Sequence, residues 1–213
     1  MIATMRRFPV AEFKAFPREL AALRALRTPA AVQDYLNALP FNHEHEGETY
    51  RSPVMLLRTR TAHCMEGAMF AAAALWLHGR PPLLMDLKTA APDVDHVVAL
   101  FREGVRWGAI SKTNHGVLRY RDPVYRDPRE IAMSYFNEYF LDDGIKTMRS
   151  FSRPFDLSRR SDEWLTTDRQ LHDLAEALDR SPHAAIVGPA VARKLRRADP
   201  IEIEAGKIVE EEQ

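Results

Sequence analysis

Cys64, His96 and Ser111 are the residues of this chain whose types and positions suit nucleophilic catalysis. Cys64 is the only cysteine and opens an alanine-rich apolar run that extends to Leu75. A helix start supplies free N–H groups and partial positive charge, and both favour a thiolate over a thiol. A single cysteine excludes a disulfide framework within the chain and a Cys-rich zinc site. The competing use of such a residue is as a small buried hydrophobe. A thiol nucleophile needs a base, and the base needs a partner that fixes its tautomer. His96 follows Asp93-Val94-Asp95 at the start of a strand-like run, where a side chain can face a cleft while its backbone is fixed. His63 adjoins Cys64, but neighbours on a helix point about 100° apart, which aims it poorly for proton transfer.

A register argument links His96 to Ser111. If Glu103-Gly104 forms a two-residue hairpin turn, Arg102 faces Val105, and counting back sets His96 opposite Ser111. Facing residues share one side of a sheet, so the hydroxyl reaches the imidazole. A longer turn moves the pairing toward Lys112 or Thr113, and Asn114 beyond the strand is a weaker alternative partner. Three residues are candidates for substrate contact: Asn114, Trp107 on the strand beside the site, and Glu66 in the first turn after Cys64. Trp107 serves equally well as ordinary packing. Glu66 suits the helix dipole, although a carboxylate close to a thiolate opposes it.

The same residues carry a family resemblance. A cysteine opens a buried helix after Arg60-Thr61-Ala62-His63. Gly79-Arg80-Pro81-Pro82 and a strand follow, then His96 on a second strand, and Gly104-Val105-Arg106-Trp107 leads a third. This arrangement resembles the transglutaminase-like core of the papain-like cysteine enzymes over about residues 50–115. The resemblance implies Cys64 as nucleophile, His96 as base and an acid a few places beyond the tryptophan to orient the histidine. Ser111 stands where that family has Asp. A hydroxyl can accept the ring N–H bond, but it adds no charge to stabilise an imidazolium. In serine-protease chemistry, neutralising the orienting acid costs about four powers of ten. The resulting expectation is a cysteine amide hydrolase or acyltransferase that forms an acyl-enzyme and needs no cofactor or metal. The alternative is a non-catalytic module of the same fold that binds a peptide or protein partner in the cleft.

The elements that must position these residues are legible from periodicity. Residues 10–27 have helical spacing broken at Pro17, and Thr28-Pro29 starts a helix striped by Val32, Tyr35, Leu36 and Leu39. Val54–Leu57 reads as either a helical turn or a short strand. The Cys64 helix is apolar on nearly every face and runs to about Leu77, with Gly79 as its terminator, so it belongs in the middle of the molecule. Three strand-like runs follow at 83–87, 96–101 and 105–111. Their short connections require antiparallel pairing. Asp127-Pro128-Arg129-Glu130 starts a helix over 128–141, and further helices are expected over 162–179 and 189–197. The repeated Tyr-Arg-Asp-Pro at 120–123 and 125–128 reads as two successive turns.

The expected fold is α+β: a buried central helix packed on an antiparallel sheet, with helices added at both ends. It forms a single domain over 1–198, and an acidic, mobile tail follows over 199–213. With 213 residues, 46% hydrophobic, the chain can bury a sizeable core. Thirty basic and thirty acidic residues leave no net field toward nucleic acid or a membrane surface, so a peptide or small amide is the expected partner. The N-terminus lacks a signal-peptide pattern, which implies the cytoplasm. His43-Glu44-His45-Glu46 reads as a solvated loop without a third metal ligand. Arg119, Arg121, Arg126 and Arg129 read as internal ion-pair partners of the acids interleaved with them.

Overall fold

The computed structural model describes residues 6–210. A 3-10 turn at Val10–Phe13 precedes α1 (Pro17–Ala25), α2 (Pro29–Asn37) and α3 (Pro53–Thr59). All three helices begin with proline, whose missing N–H would have no helical partner there. Thr28 and Ser52 cap α2 and α3 by accepting the N–H groups of Ala31 at 3.1 Å and Met55 at 3.2 Å. The run left open at Val54–Leu57 is therefore helical. Next comes α4 (Cys64–Leu77), in which every residue from Met65 to Trp76 is buried.

The sheet is built from β1 (Leu83–Thr89), β2 (His96–Glu103), β3 (Arg106–Ile110) and β4 (Arg121–Tyr125), followed after α5 (Pro128–Tyr135) by β5 (Met148–Ser152) and β6 (Phe155–Asp156). After α6 (His172–Asp179), β7 (His183–Ala185) completes it, and the short α7 (Pro189–Ala192) and α8 (Pro200–Gly206) end the described chain. The strand order is β4-β3-β2-β1-β5-β7, with β6 also pairing with β1, and every pairing is antiparallel. Val97, Ala99 and Phe101 of β2 join the cluster around α4, while Val98 and Leu100 join the cluster around α5. The sheet is thus covered on both faces, which explains why β2 reads as a continuous apolar run rather than an alternating one. This is the expected α+β architecture with a central buried helix. No helix among the described residues is long and apolar enough to cross a membrane.

Several expectations from the sequence need correction. The repeated Tyr-Arg-Asp-Pro stretch is not a pair of turns: Arg121–Tyr125 forms β4, pairing Trp107 with Tyr125 and Ala109 with Arg121. β4 is an edge strand, where Pro123 can lack an N–H without breaking a ladder. The helix expected over 128–141 stops at Tyr135, and Phe136–Glu138 tightens into a 3-10 turn. The helix expected over 162–179 is reduced to α6 because tertiary bonds claim its first half: Leu171 N–H donates to Tyr50 O at 2.9 Å, and Gln170 accepts from Tyr50 N–H at 2.6 Å. Only Pro189–Ala192 is helical in the 189–197 stretch. The segment from 199 carries structure of its own as far as 210. Asp199 and Glu202 form a capping box on α8, Gly116 N–H donates to Ile208 O and Glu210 N–H to Asn114 O, both at 2.7 Å. The tip at 211–213, like the start at 1–5, lies outside the described residues.

Gly67 explains how the residues after β3 approach α4. A Cβ built there would lie 2.5 Å from Lys112 Cβ, well inside van der Waals contact. Lys112 is buried, donates to Leu39 O at 2.6 Å and lies 3.7 Å from Glu210. It therefore has little room to withdraw. Gly67→Ala gains about 1 kcal/mol of helix propensity but overpacks at a cost of about 3 kcal/mol. The expected outcome is a net loss of about 2 kcal/mol, measured by urea denaturation; unchanged or increased stability would contradict this packing account.

Candidate active site

The sequence positions Cys64 through the residue before it. His63 is the N-cap of α4: its backbone is extended at φ −97° and ψ −174°, and its Nδ1 accepts the Met65 N–H at 3.3 Å. The Glu66 carboxylate reaches back to the His63 N–H at 3.2 Å, completing a capping box. Cys64 is consequently the first helical residue, partly exposed, with the positive end of a fourteen-residue helix behind it.

The Cys64 thiol lies under the influence of two imidazoles, those of His63 and His96. Burial alone would raise the Cys64 thiol, but the two imidazoles outweigh it and lower the group from 9.0 to about 5. Burial likewise disfavours charge on His63, yet its hydrogen bond to Cys64 and the negative charges of Cys64 and Glu66 raise it from 6.5 to about 9. Carboxylates of Glu44 and Glu66 each lie 3.7 Å from His63 Nε2, which also bonds to Thr49 O at 2.6 Å. His63 was ranked low in the sequence because helix neighbours diverge. That rule does not govern a cap residue, whose backbone is not helical.

His96 and Ser111 come together, although by a different register. The hairpin turn is Gly104-Val105, with Gly104 at φ +58°, so Glu103 pairs with Arg106 and Ala99 with Ile110. The expected register is displaced by two residues, which carries the position opposite His96 past Ser111. An even displacement keeps every side chain on its own face, so Ser111 remains a diagonal neighbour of His96. His96 Nε2 and Ser111 Oγ are 2.7 Å apart, and Ser111 Oγ donates its proton to Leu118 O at 2.5 Å. With that proton spent, the serine oxygen accepts from His96 Nε2–H. The imidazole is thereby held in the Nε2–H tautomer, its Nδ1 lone pair left for the thiol.

Two features that the sequence reading passed over hold this chain of bonds. Gln33 of α2 clamps Ser111 on both backbone groups, donating to its carbonyl at 2.8 Å and accepting its N–H at 2.9 Å. Its signal was a polar residue on the buried side of an amphipathic helix, between Val32 and Leu36. Leu118 occupies left-handed backbone space at φ +60°, a strained conformation for a branched side chain. Besides the Ser111 hydroxyl, it is tied by its N–H to Glu138 Oε2 at 2.7 Å.

Cys64 lines two adjoining clefts. One, of about 430 Å³, is bordered by Tyr50, His63, Asp86, Asp95 and Asp179. The other, of about 130 Å³, is bordered by His96, Thr113, Asn114, Leu118 and Tyr139. Of the candidate substrate contacts, Asn114 borders the smaller cleft. Glu66 does not reach either one: it has no exposed surface, and its carboxylate is occupied by Asn42, Thr49, Arg51 and His63. Trp107 is also displaced, since it faces Arg102 toward the hairpin end of β2 and β3 and packs with the α5 cluster. Asp86, Asp95 and Asp179 bring carboxylate oxygens within 4.8 Å of one another, an arrangement able to hold a cation. Lys88 pairs with Asp95 and Asp179, so a protein cation already opposes these charges, and His183 Nε2 lies 3.1 Å from Asp86.

No protein-family profile matches this chain, and no curated protein matches it. Among solved structures, Legionella pneumophila LapG aligns with 16% sequence identity and a TM-score of 0.34, covering 48% of this chain. The alignment spans 63% of the length of that structure.

Proposed function

We propose that this chain is a transglutaminase-like cysteine enzyme that transfers acyl groups from a peptide or small amide, with Cys64 as nucleophile and His96 as base. The observation that carries this reading is the bond sequence from Leu118 O through Ser111 to His96, in a cleft that His96 shares with Cys64 at the start of a buried helix. The thiolate attacks the substrate carbonyl carbon, forming a C–S bond while the carbonyl electron pair moves to oxygen. The Cys64 N–H at the helix start is the natural donor to that oxygen. When the pair returns, the C–N bond breaks, and the leaving nitrogen takes a proton from the imidazolium of His96. Water or an amine then gives a proton to His96 Nδ1, attacks the thioester and releases the thiolate. These steps use chain groups and the acyl acceptor alone, so the reading calls for no cofactor. A reducing compartment such as the cytoplasm suits a free nucleophilic thiol.

A second reading, a non-catalytic module that binds a peptide or protein partner in the same cleft, draws on Ser111, which contributes no negative charge to an imidazolium. The two readings differ in the state of the thiol. Iodoacetamide alkylates the thiolate, and a lowered pKa means that the thiolate persists until the pH falls through that value. For the catalytic reading, the alkylation rate is expected to be flat through neutrality and to fall only through about pH 5. Cys64→Ser should abolish labelling. A midpoint near that of an ordinary thiol, about 8.5, would favour the binding module and sink the acyl-transfer reading.

A further inference from the structure

The hydrogen bond from Ser111 to Leu118 O sets the His96 tautomer, yet its two partners stand seven positions apart in the connection from β3 to β4. Each has a tether of its own. Gln33 of α2 holds the Ser111 backbone, and Glu138 accepts the Leu118 N–H at 2.7 Å. These tethers lead to different elements, so neither fixes one partner relative to the other. The left-handed backbone of Leu118 persists only where its surroundings over-determine it.

Glu210 joins the two sides. Its Oε1 lies 2.9 Å from Arg119 Nη1, and its Oε2 lies 3.7 Å from Lys112 Nζ. Lys112 directly follows Ser111, and Arg119 directly follows Leu118. One carboxylate thus bridges the neighbours of both partners in the orienting hydrogen bond. The bridge is itself anchored. Glu210 N–H donates to Asn114 O and Gly116 N–H to Ile208 O, both at 2.7 Å, with Val209 opposite His115 in an antiparallel bridge. An exposed ion pair alone would contribute little, but Lys112 is 1% exposed and its ammonium donates to Leu39 O at 2.6 Å. Burial pushes that ammonium below its ordinary range and Glu210 opposes the shift, so a fixed, buried cation holds the carboxylate.

We infer that Glu210 is a positioning residue for the His96 base: by bridging Lys112 and Arg119 it keeps the Ser111 hydroxyl on Leu118 O, and so holds the imidazole in the tautomer that acyl transfer needs. This rests on the acyl-transfer reading. Glu210 acts through Ser111 rather than on the substrate.

The test reads the pH profile of Cys64 alkylation by iodoacetamide in the intact chain, because a misoriented His96 stabilises the thiolate less. Glu210→Gln and Arg119→Gln each open the bridge. Each is expected to raise the alkylation midpoint by about one pH unit, the scale of one lost orienting hydrogen bond. The two variants change the local charge in opposite directions, so a field effect alone would lower the midpoint in Glu210→Gln and raise it in Arg119→Gln. Glu210→Gln also leaves the buried Lys112 ammonium without its carboxylate, and Arg119→Gln carries the comparison if that variant does not fold. Ser111→Ala separates positioning from general loosening. Added to Ser111→Ala, either substitution should cause no further rise, since no hydroxyl remains to be held. A rise of equal size in both backgrounds overturns the inference, as does an unchanged or lowered midpoint in Glu210→Gln while the unaltered chain titrates at about 5. Failure of both variants to fold overturns it too, because the bridge then serves stability alone. A midpoint of about 8.5 in the unaltered chain instead sinks the acyl-transfer reading, and the inference falls with it.

Discussion

His96→Ala is expected to lower kcat/KM for a peptide thioester or amide by about three powers of ten, the usual scale for a lost general base. The direction follows from how the hydroxyl proton of Ser111 is used. That proton is committed to Leu118 O at 2.5 Å, so Ser111 can only accept from His96 Nε2–H, which leaves Nδ1 as the basic nitrogen of the ring. Removing the imidazole deletes the acceptor of the thiol proton and one of the two groups that lower the thiol to about 5. The alkylation midpoint should therefore rise along with the loss of turnover. Ser111→Ala should be milder, about tenfold, because the imidazole remains and loses mainly its orientation. The decisive comparison is His63→Asn. Asparagine retains the N-cap acceptor, so α4 keeps its start while the second imidazole is removed. Turnover within about tenfold of the parent is the expected outcome, with a raised thiol midpoint. A drop of about three powers of ten in His63→Asn, with His96→Ala nearly silent, would assign the base to His63 and overturn the pairing argued here.

Periodicity and capping chemistry carried much of the architecture. Thr28-Pro29 and Asp127-Pro128 each mark a helix start, and the apolar stretch after Cys64 is the central helix. What local pattern could not supply was a choice between energetically similar local options. A turn centred one residue later displaces a hairpin register by two, and Gly104 supports either turn. The pairing of His96 with Ser111 nevertheless survives because the displacement is even. The partner of Gln33 was hidden for a different reason: it is the backbone of a residue 78 positions away, which no local periodicity encodes. The strand at Arg121–Tyr125 was hidden by Pro123, which argues against a central strand and is tolerated at an edge. The divergence of helix neighbours does not apply to His63, because a cap residue occupies helical sequence spacing without helical geometry.

Glu66→Ala should produce the largest loss of stability of the substitutions considered, about 4 kcal/mol. The side chain has no exposed surface. Oε1 accepts from Thr49 Oγ1 at 2.9 Å and Arg51 N–H at 3.1 Å, while Oε2 accepts from Asn42 Nδ2 and His63 N–H, each at 3.2 Å. Arg51 Nε lies a further 3.7 Å from Oε1. One carboxylate thus joins the loop at 42–51 to the first turn of α4, beside the nucleophile. Truncation removes the acceptor of four bonds; Thr49 Oγ1 keeps Glu44 Oε1 at 3.3 Å, and each buried donor left unsatisfied costs about 1–3 kcal/mol before water or relaxation compensates. Glutamine is no remedy, because whichever terminal position the NH₂ occupies meets two donors instead of accepting from them. Glu66→Gln should therefore destabilise by more than half as much as Glu66→Ala. Since the loop that Glu66 secures carries Thr49, the acceptor of His63 Nε2, the loss should also loosen His63 and raise the Cys64 alkylation midpoint. Urea denaturation and the iodoacetamide pH profile, measured on both variants, check the two consequences. Near-parent stability in Glu66→Ala, or a stable Glu66→Gln protein, would show that these four bonds do not hold the loop to the helix.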